Sequence, residues 1–249
     1  MKLLALDTST ERMALALVTP QQVWLHEAAG GAAASTTLIP AALALLAEAG
    51  LSLAALDALA VGQGPGAFTG LRTAVSVVQG LALGAGKPVL LLDSLLLVAQ
   101  DAHTQALAAG AAPQAAWPVW VAMDARMDEV YAAAYRHTPE LGWTCTHAPA
   151  LWDVPSLAAC WLAEPPQAVA GSALAAFGER LPVGAATCWP QTDSRAAALG
   201  RLAQAAWQAG AAVPPEQALP LYLRDKVAQT TAEREAARQS AAAASRPQP

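Results

Sequence analysis

Charge is scarce in this chain of 249 residues: only 13% are Asp, Glu, Lys or Arg. The formal net charge is −5, no Lys lies between Lys2 and Lys87, and no Lys or Arg between Arg136 and Arg180. A domain that grips RNA or DNA through its phosphates carries a basic stripe. Direct high-affinity nucleic-acid binding by this chain alone is therefore not expected. Cysteine is scarce too. Cys145, Cys160 and Cys188 are odd in number and widely spaced, and form neither a C-x-x-C pair nor a zinc pattern. His26, His103, His137 and His147 show no H-E-x-x-H spacing, and no G-x-S-x-G nucleophile elbow is present. The expected metal set is none, and the histidines read as structural or exposed. No uninterrupted apolar run reaches the ~20 residues of a membrane span; the run 38–46 is too short and contains Pro40. The N-terminus meets Asp7 too early for a signal peptide. A cytoplasmic, reduced protein away from membranes is the expectation.

What the chain has is apolar mass, 55% of its residues, enough for one large or two smaller cores. It also has a glycine string, Gly62-Gln-Gly64-Pro65-Gly66-Ala67-Phe68-Thr69-Gly70-Leu71-Arg72. Glycine tolerates positive φ and close approach, and a loop of this kind before a helix can cradle an anion. Thr69 reads as an N-cap. The string fits neither common phosphate fingerprint: the Lys of a P-loop is missing, and Ala67 and Thr69 stand where a dinucleotide loop needs glycine. A ligand or partner loop and a tight strand-to-helix connection remain as alternatives.

The pattern of elements is β-β-β-α-β-α-β-α over the first third: strands at 3–7, 13–19 and 22–28, a helix at 36–49, a strand at 56–61, a helix at 71–83, a strand at 89–92 and a helix at 94–108. This order predicts α/β layers on a mixed sheet. A Pro/Ala-rich connector at 110–118 precedes a hairpin of strands 120–124 and 129–136. Helices are expected at 155–163, 172–180 and 195–209, with a strand at 167–170. The expected division is an N-terminal lobe, 1–109, a C-terminal lobe, 110–227, whose last segment packs back on the first, and an Ala-rich tail, 228–249.

Two helices carry apolar side chains beyond one stripe. On 36–49, Leu38, Leu45 and Ala49 lie on one side, and Ile39, Leu43 and Leu46 on the other. On the helix after the glycines, Leu71, Ala74, Val75, Val78 and Ala82 form the core stripe, Leu83 lies opposite beside Arg72, Ser76 and Gln79, and Gly80 and Gly84 permit close approach. Both helices are either wholly internal or part of an association surface. Asp7-Thr8-Ser9-Thr10 ends the first strand. It reads as an Asx- or ST-turn in preference to a metal-nucleotide site. Asp124 and Arg126 form either a catalytic pair or an ordered hairpin. The tryptophans from Trp117 to Trp207 read as core or interface anchors.

Several strings together resemble one family: Leu4-Ala-Leu-Asp7-Thr8-Ser9-Thr10-Glu11, the glycine string, Gln79-Gly80-Leu-Ala82, Met123-Asp124-Ala-Arg126-Met-Asp128-Glu129-Val-Tyr131, and Leu221-Tyr222-Leu-Arg224. In order and spacing they are similar to TsaB (YeaZ), the partner subunit of the bacterial tRNA threonylcarbamoyladenosine system. The resemblance spans about residues 1–227. It implies a two-lobed actin-like ATPase-domain (ASKHA, ribonuclease H-like) fold with mixed sheets flanked by helices. It implies a subunit with no catalytic residues, which binds and activates TsaD, the subunit that transfers threonylcarbamoyl to the adenosine beside the tRNA anticodon. TsaE would then join through TsaD, tRNA would be met only within the complex, and ATP or ADP would lie at the complex's junction. No cofactor would be required by this chain, and without TsaD it would be either a homodimer or a monomer. TsaD's metal-binding histidine pair has no counterpart here: the corresponding helix contains no His, and Ala33 and Ala34 stand just before it. The resemblance assigns the surplus apolar surface to a partner, with Leu38, Ala42, Leu45, Ala49, Ser76, Gln79, Gly80 and Leu83 as interface positions. Asp7, Thr8, Thr10, Gly64, Gly66, Thr69, Gly70 and Arg72 are nucleotide contacts or loop-structural residues. The rivals are a small-molecule kinase or ATPase of the same fold, for which 8–10 lacks the glycine of a phosphate hairpin, and a metallopeptidase, which lacks a zinc spacing.

Overall fold

The computed structural model describes residues 1–110 and 116–224. The middle of the expected connector and the whole Ala-rich tail lie outside them. Strands β1 (Leu3–Asp7), β2 (Arg12–Val18), β3 (Val23–Ala29), β4 (Ala58–Gly64), β5 (Val89–Asp93) and β11 (Ala212–Val213) form a six-stranded sheet in the order β11-β5-β4-β1-β2-β3. β1 pairs antiparallel with β2 and parallel with β4, so the sheet is mixed. The period-2 pattern of the strands divides the side chains between its faces. Leu4, Leu6, Leu15, Leu17, Leu59 and Val61 meet helices α1 (Ala34–Glu48) and α2 (Phe68–Ala85). Leu3, Ala5, Ala14, Ala16, Ala58 and Ala60 meet helix α6 (Arg195–Gln208). The second face is built largely of alanine, and α6 lies close on it: a Cβ at Gly200 would sit 3.3 Å from both the Ala16 Cβ and the Val18 Cγ2.

The second sheet is five-stranded, in the order β10-β9-β6-β7-β8, from β6 (Trp117–Asp124), β7 (Glu129–Thr138), β8 (Gly142–Asp153), β9 (Ala168–Ala170) and β10 (Thr187–Trp189). Helix α3 (Ser94–Ala108) covers one face through Leu95, Val98, Ala99 and Ala102. Helices α4 (Val154–Ala163) and α5 (Ala173–Phe177) cover the other, where Trp161 is buried against Trp120. The tryptophans are chiefly core material of this sheet. Leu97, on the same α3, belongs to the core of the first sheet, so α3 is the shared layer between the two.

Some boundaries differ from the sequence reading. β6 begins at Trp117, so Trp117 and Pro118 belong to a strand and not to the connector. β8, 12 residues long, was not expected; it is an edge strand with many exposed positions, and so lacks clean alternation. The helix expected at 172–180 is a short α5 followed by a 3-10 turn, Gly178–Arg180. α6 and β11 come from the second half of the chain yet lie on the first sheet, β11 pairing with β5.

Candidate functional site

β1 delivers Asp7, with no exposure to water, to the end of the first sheet facing the second. The Ser9 amide and hydroxyl donate to Asp7 Oδ1 at 3.2 and 2.9 Å, the Asx-type turn expected. Ser94 Oγ donates to Oδ2 at 3.0 Å. Arg195, on the first turn of α6 and 4% exposed, donates from Nε to Oδ1 at 2.8 Å. Its Nη2 reaches Ser9 Oγ at 2.7 Å and the Ser94 carbonyl at 3.1 Å. A buried charge must be paired and hydrogen-bonded, and here the guanidinium does both for Asp7. Both carboxylate oxygens are thereby engaged by the chain itself. Asp93, which caps α3 through the Leu95 and Leu96 amides, lies nearby. Burial raises its carboxyl above the usual range, against the lowering pull of its hydrogen bond from Tyr135. Among the described residues no three His, Cys, Asp or Glu side chains cluster to hold a metal ion.

The glycine string is shorter as a loop than the sequence suggests. β4 runs through Gly64 and α2 begins at Phe68, leaving only residues 65–67 between them. Its glycines admit other parts of the chain. A Cβ on Gly70 would lie 1.9 Å from the Thr8 carbonyl oxygen, and one on Gly66 2.4 Å from that of Ser9. Gly64 faces the Leu221 carbonyl in the same way, at 2.8 Å. Thr8 Oγ1 closes this contact by donating to the Gly70 carbonyl at 2.6 Å, while Thr10 Oγ1 donates to the Arg12 carbonyl at 2.9 Å. Thr69 is not the N-cap. Ala67 holds that position without a side-chain bond, because the helix starts two residues earlier than a Thr69 cap requires. Arg72 is exposed, its guanidinium 3.8 Å above the Phe68 ring.

Between the sheets lies a cleft of about 770 Å³, floored by Ser9, Ser94 and Arg195. Its charges are internally matched. Arg12 Nη2 meets Glu27 Oε2 at 3.0 Å, and Arg126 pairs with Asp124 at 3.1 Å and with Glu11 across the cleft. Asp124 and Arg126 therefore order the hairpin and tie it to the β1–β2 turn. Half-burial raises the pKa of the Tyr131 hydroxyl, which lines the wall. The far wall is the segment 221–224, whose Leu221 amide donates to the Gln63 carbonyl at 2.7 Å.

The two surplus-apolar helices share one face of the first sheet. On α1 the stripe Leu38, Ala42, Leu45 and Leu46 is buried in the chain's own core, and Ala49 packs beside it. The outward residues are Ile39, 44% exposed, and Leu43, 48% exposed. The interface positions expected at Leu38, Ala42 and Leu45 thus point the other way: a helix apolar all round has no polar face to tell inside from outside. On α2 the core stripe is as expected, and Arg72, Ser76, Gly80 and Leu83 are exposed. Leu83 is 55% exposed, and Gly80 and Gly84 face open space. Gln79 is half-buried and donates to the Pro215 carbonyl at 3.2 Å.

Sequence reasoning missed Arg195, Ser94 and Glu27, which hold the cleft floor. Arg195 lies 188 residues from its carboxylate, and no local spacing links them. The only signal was an arginine at the first position of an Ala-rich helix. His103 and His137, read as isolated, stack with ring centroids 4.4 Å apart beside Trp117 and Trp143.

A family model described as TsaD, tRNA N6-adenosine threonylcarbamoyltransferase, matches residues 15–148, more than half of the chain. Among curated proteins, the tRNA threonylcarbamoyladenosine biosynthesis protein TsaB of Escherichia coli is 36% identical over 143 residues, 57% of this chain and 58% of that protein. TsaB of Haemophilus influenzae is 41% identical over 130 residues, 52% and 51% of the two chains. The aligned part thus spans about half the length of these curated relatives. Among solved structures, YeaZ from Pseudomonas aeruginosa is 36% identical with a TM-score of 0.75, over 89% of this chain and 100% of that one. A further structure, of a protein described as having similarity to peptidase YEAZ from Pseudomonas aeruginosa, is 38% identical with a TM-score of 0.77, over 90% and 99%. With YeaZ structures at 36–38% identity covered almost end to end, the chain belongs to the TsaB (YeaZ) family.

Proposed function

We propose that this chain is a non-catalytic subunit that binds and activates a TsaD-type threonylcarbamoyltransferase acting on the adenosine beside the tRNA anticodon. The observation that carries this reading is the outward face of α1 and α2, where Ile39, Leu43 and Leu83 stay exposed after the chain has completed its own core. Large exposed apolar side chains on neighbouring helices favour a protein partner. Outward residues replace inward ones in the proposed interface: Ile39 and Leu43 on α1, with Ser76, Gly80 and Leu83 on α2 and with Ala49 and Gln79 at its edge. The same face would pair two copies of the chain in the absence of TsaD.

A kinase or ATPase needs its cleft carboxylate free for magnesium or for proton transfer. Asp7 is bound instead by Arg195, Ser9 and Ser94, which favours the non-catalytic reading. The glycines packed against 8–9 and 221 support a structural role for Gly64, Gly66 and Gly70 over phosphate contact. ATP or ADP, TsaE and tRNA belong to the assembled complex in this proposal, in the cytoplasm; among the described residues no helix is long and apolar enough to cross a membrane. The lobes are proposed as 1–109 and 110–227, with α6 and β11 returning to the first.

The test is association with the transferase. A carboxylate buried unpaired in an apolar interface costs more than the roughly 2–7 kcal/mol of a neutral polar group left without a partner. Leu43→Glu and Leu83→Glu should each weaken binding at least tenfold while leaving the fold intact, because both side chains already meet water. Wild-type affinity in both variants would remove this face from the interface.

A further inference from the structure

Beyond the 3-10 turn Pro215–Gln217 the chain runs along the far wall of the cleft as a strap, residues 221–224. It is anchored to both lobes. On the first, the Leu221 amide donates to the Gln63 carbonyl at 2.7 Å, and the Tyr222 hydroxyl accepts from Arg72 Nε at 2.8 Å. The Tyr222 ring lies 5.0 Å from that of Phe68, on the first turn of α2. On the second, Arg224 Nη2 donates to the carbonyls of Ala125 and Arg126 at 3.0 and 3.2 Å, and pairs with Glu129.

The hairpin that Arg224 grips is strained. Arg126, Met127 and Asp128 have φ of +64°, +56° and +62°. Three consecutive non-glycine residues in the left-handed region persist only where neighbours over-determine them. Arg224 binds the two carbonyls at the start of that run, and Arg126 itself reaches Glu11 on the first lobe. The strap, by contrast, contributes little to either core. Tyr222 is 42% exposed, and the strap's ties are mostly polar and directional.

We infer that residues 221–224 are a clasp, and that Tyr222 and Arg224 are positioning residues that fix the first turns of α2 to the second lobe. The clasp makes α2 and the hairpin 125–129 move as one body, and so sets the orientation in which α2 is presented. This rests on the proposed partner face of α1 and α2.

The experiment uses the full chain with Arg224→Ala and, as the milder change, Tyr222→Phe. Amide hydrogen exchange is measured with and without the TsaD-type transferase. In Arg224→Ala, amides of 66–72 and 125–129 should exchange about tenfold faster, as expected for loss of a charged hydrogen-bonded anchor, while those of β1 and β4 keep the wild-type rate. Tyr222→Phe should do so for 66–72 alone. Binding to the transferase should weaken in both. Unchanged exchange in both segments overturns the clasp, and so does an equal acceleration in β1 and β4, which is general loss of stability. Local acceleration with unchanged binding overturns the positioning of α2, provided Leu83→Glu still weakens binding. If Leu83→Glu binds normally as well, the partner face itself has failed.

Discussion

Asp7 is wholly buried and Arg195 nearly so, and their side chains meet at 2.8 Å. Removing one partner of a buried pair leaves an uncompensated charge and costs about 3–5 kcal/mol. Arg195→Met should lower the unfolding free energy in urea by about that amount. Adding Asp7→Asn should recover part of it, since the remaining group is then neutral; a single variant as stable as the wild type would contradict the pairing. Glycines give a second contrast at this scale. Gly70→Ala drives a methyl to 1.9 Å from the Thr8 carbonyl oxygen, a backbone atom that cannot swing away. Gly80→Ala, in the middle of α2 with nothing within 4 Å, should stabilise the isolated chain by up to about 1 kcal/mol, from helix propensity alone. Thermal melts of the two variants should therefore move in opposite directions.

At the scale of elements, α3, β6, β7 and β8 meet in an aromatic cluster around His103, His137, Trp117 and Trp143. Burial lowers the His103 pKa from 6.5 to about 4, with His137 and Arg201 adding to the shift, and burial lowers His137 also. As pH falls, the unfolded chain takes up these protons before the folded one does. The stability contributed by neutral His103 is complete above pH 6.5 and is lost progressively as pH falls from 6.5 towards 4. The urea midpoint should drop between pH 7 and pH 5, and His103→Gln should flatten that drop. An unaltered drop would place its origin elsewhere. The elements themselves were legible where the apolar period was strong. β1, α3 and the core stripe of α2 follow directly from their side chains. β8 and β10 were hidden because an edge strand needs no buried face, and β11 because two residues carry no period. The inward stripe of α1 could not be read from a helix apolar on both sides. In the cleft, the Asx-turn at Asp7 was readable from four adjacent residues, whereas Arg195 was not: contacts across most of the chain leave no mark on local spacing.

At the scale of the molecule, two sheets share α3, and two returning pieces of chain come back to the first: α6 lies on its face, and the strap 221–224 touches both lobes. α6 brings the cation that pairs with Asp7, and the strap is the proposed clasp on α2. The burial of α1 changes which variants are informative about the proposed interface. Ala42→Glu would place a carboxylate in the chain's own core and report unfolding, whereas Ile39, Leu43 and Leu83 can be changed without touching it. The most direct test is reconstituted tRNA threonylcarbamoylation by the TsaD-type transferase with its threonylcarbamoyl donor and TsaE. Reactions would contain no added chain, the wild type, or Leu43→Glu/Leu83→Glu. The account predicts modification that depends on the wild-type chain and falls at least about tenfold with the double variant, in step with lost binding. Full modification without the chain, or with the folded double variant, would contradict it.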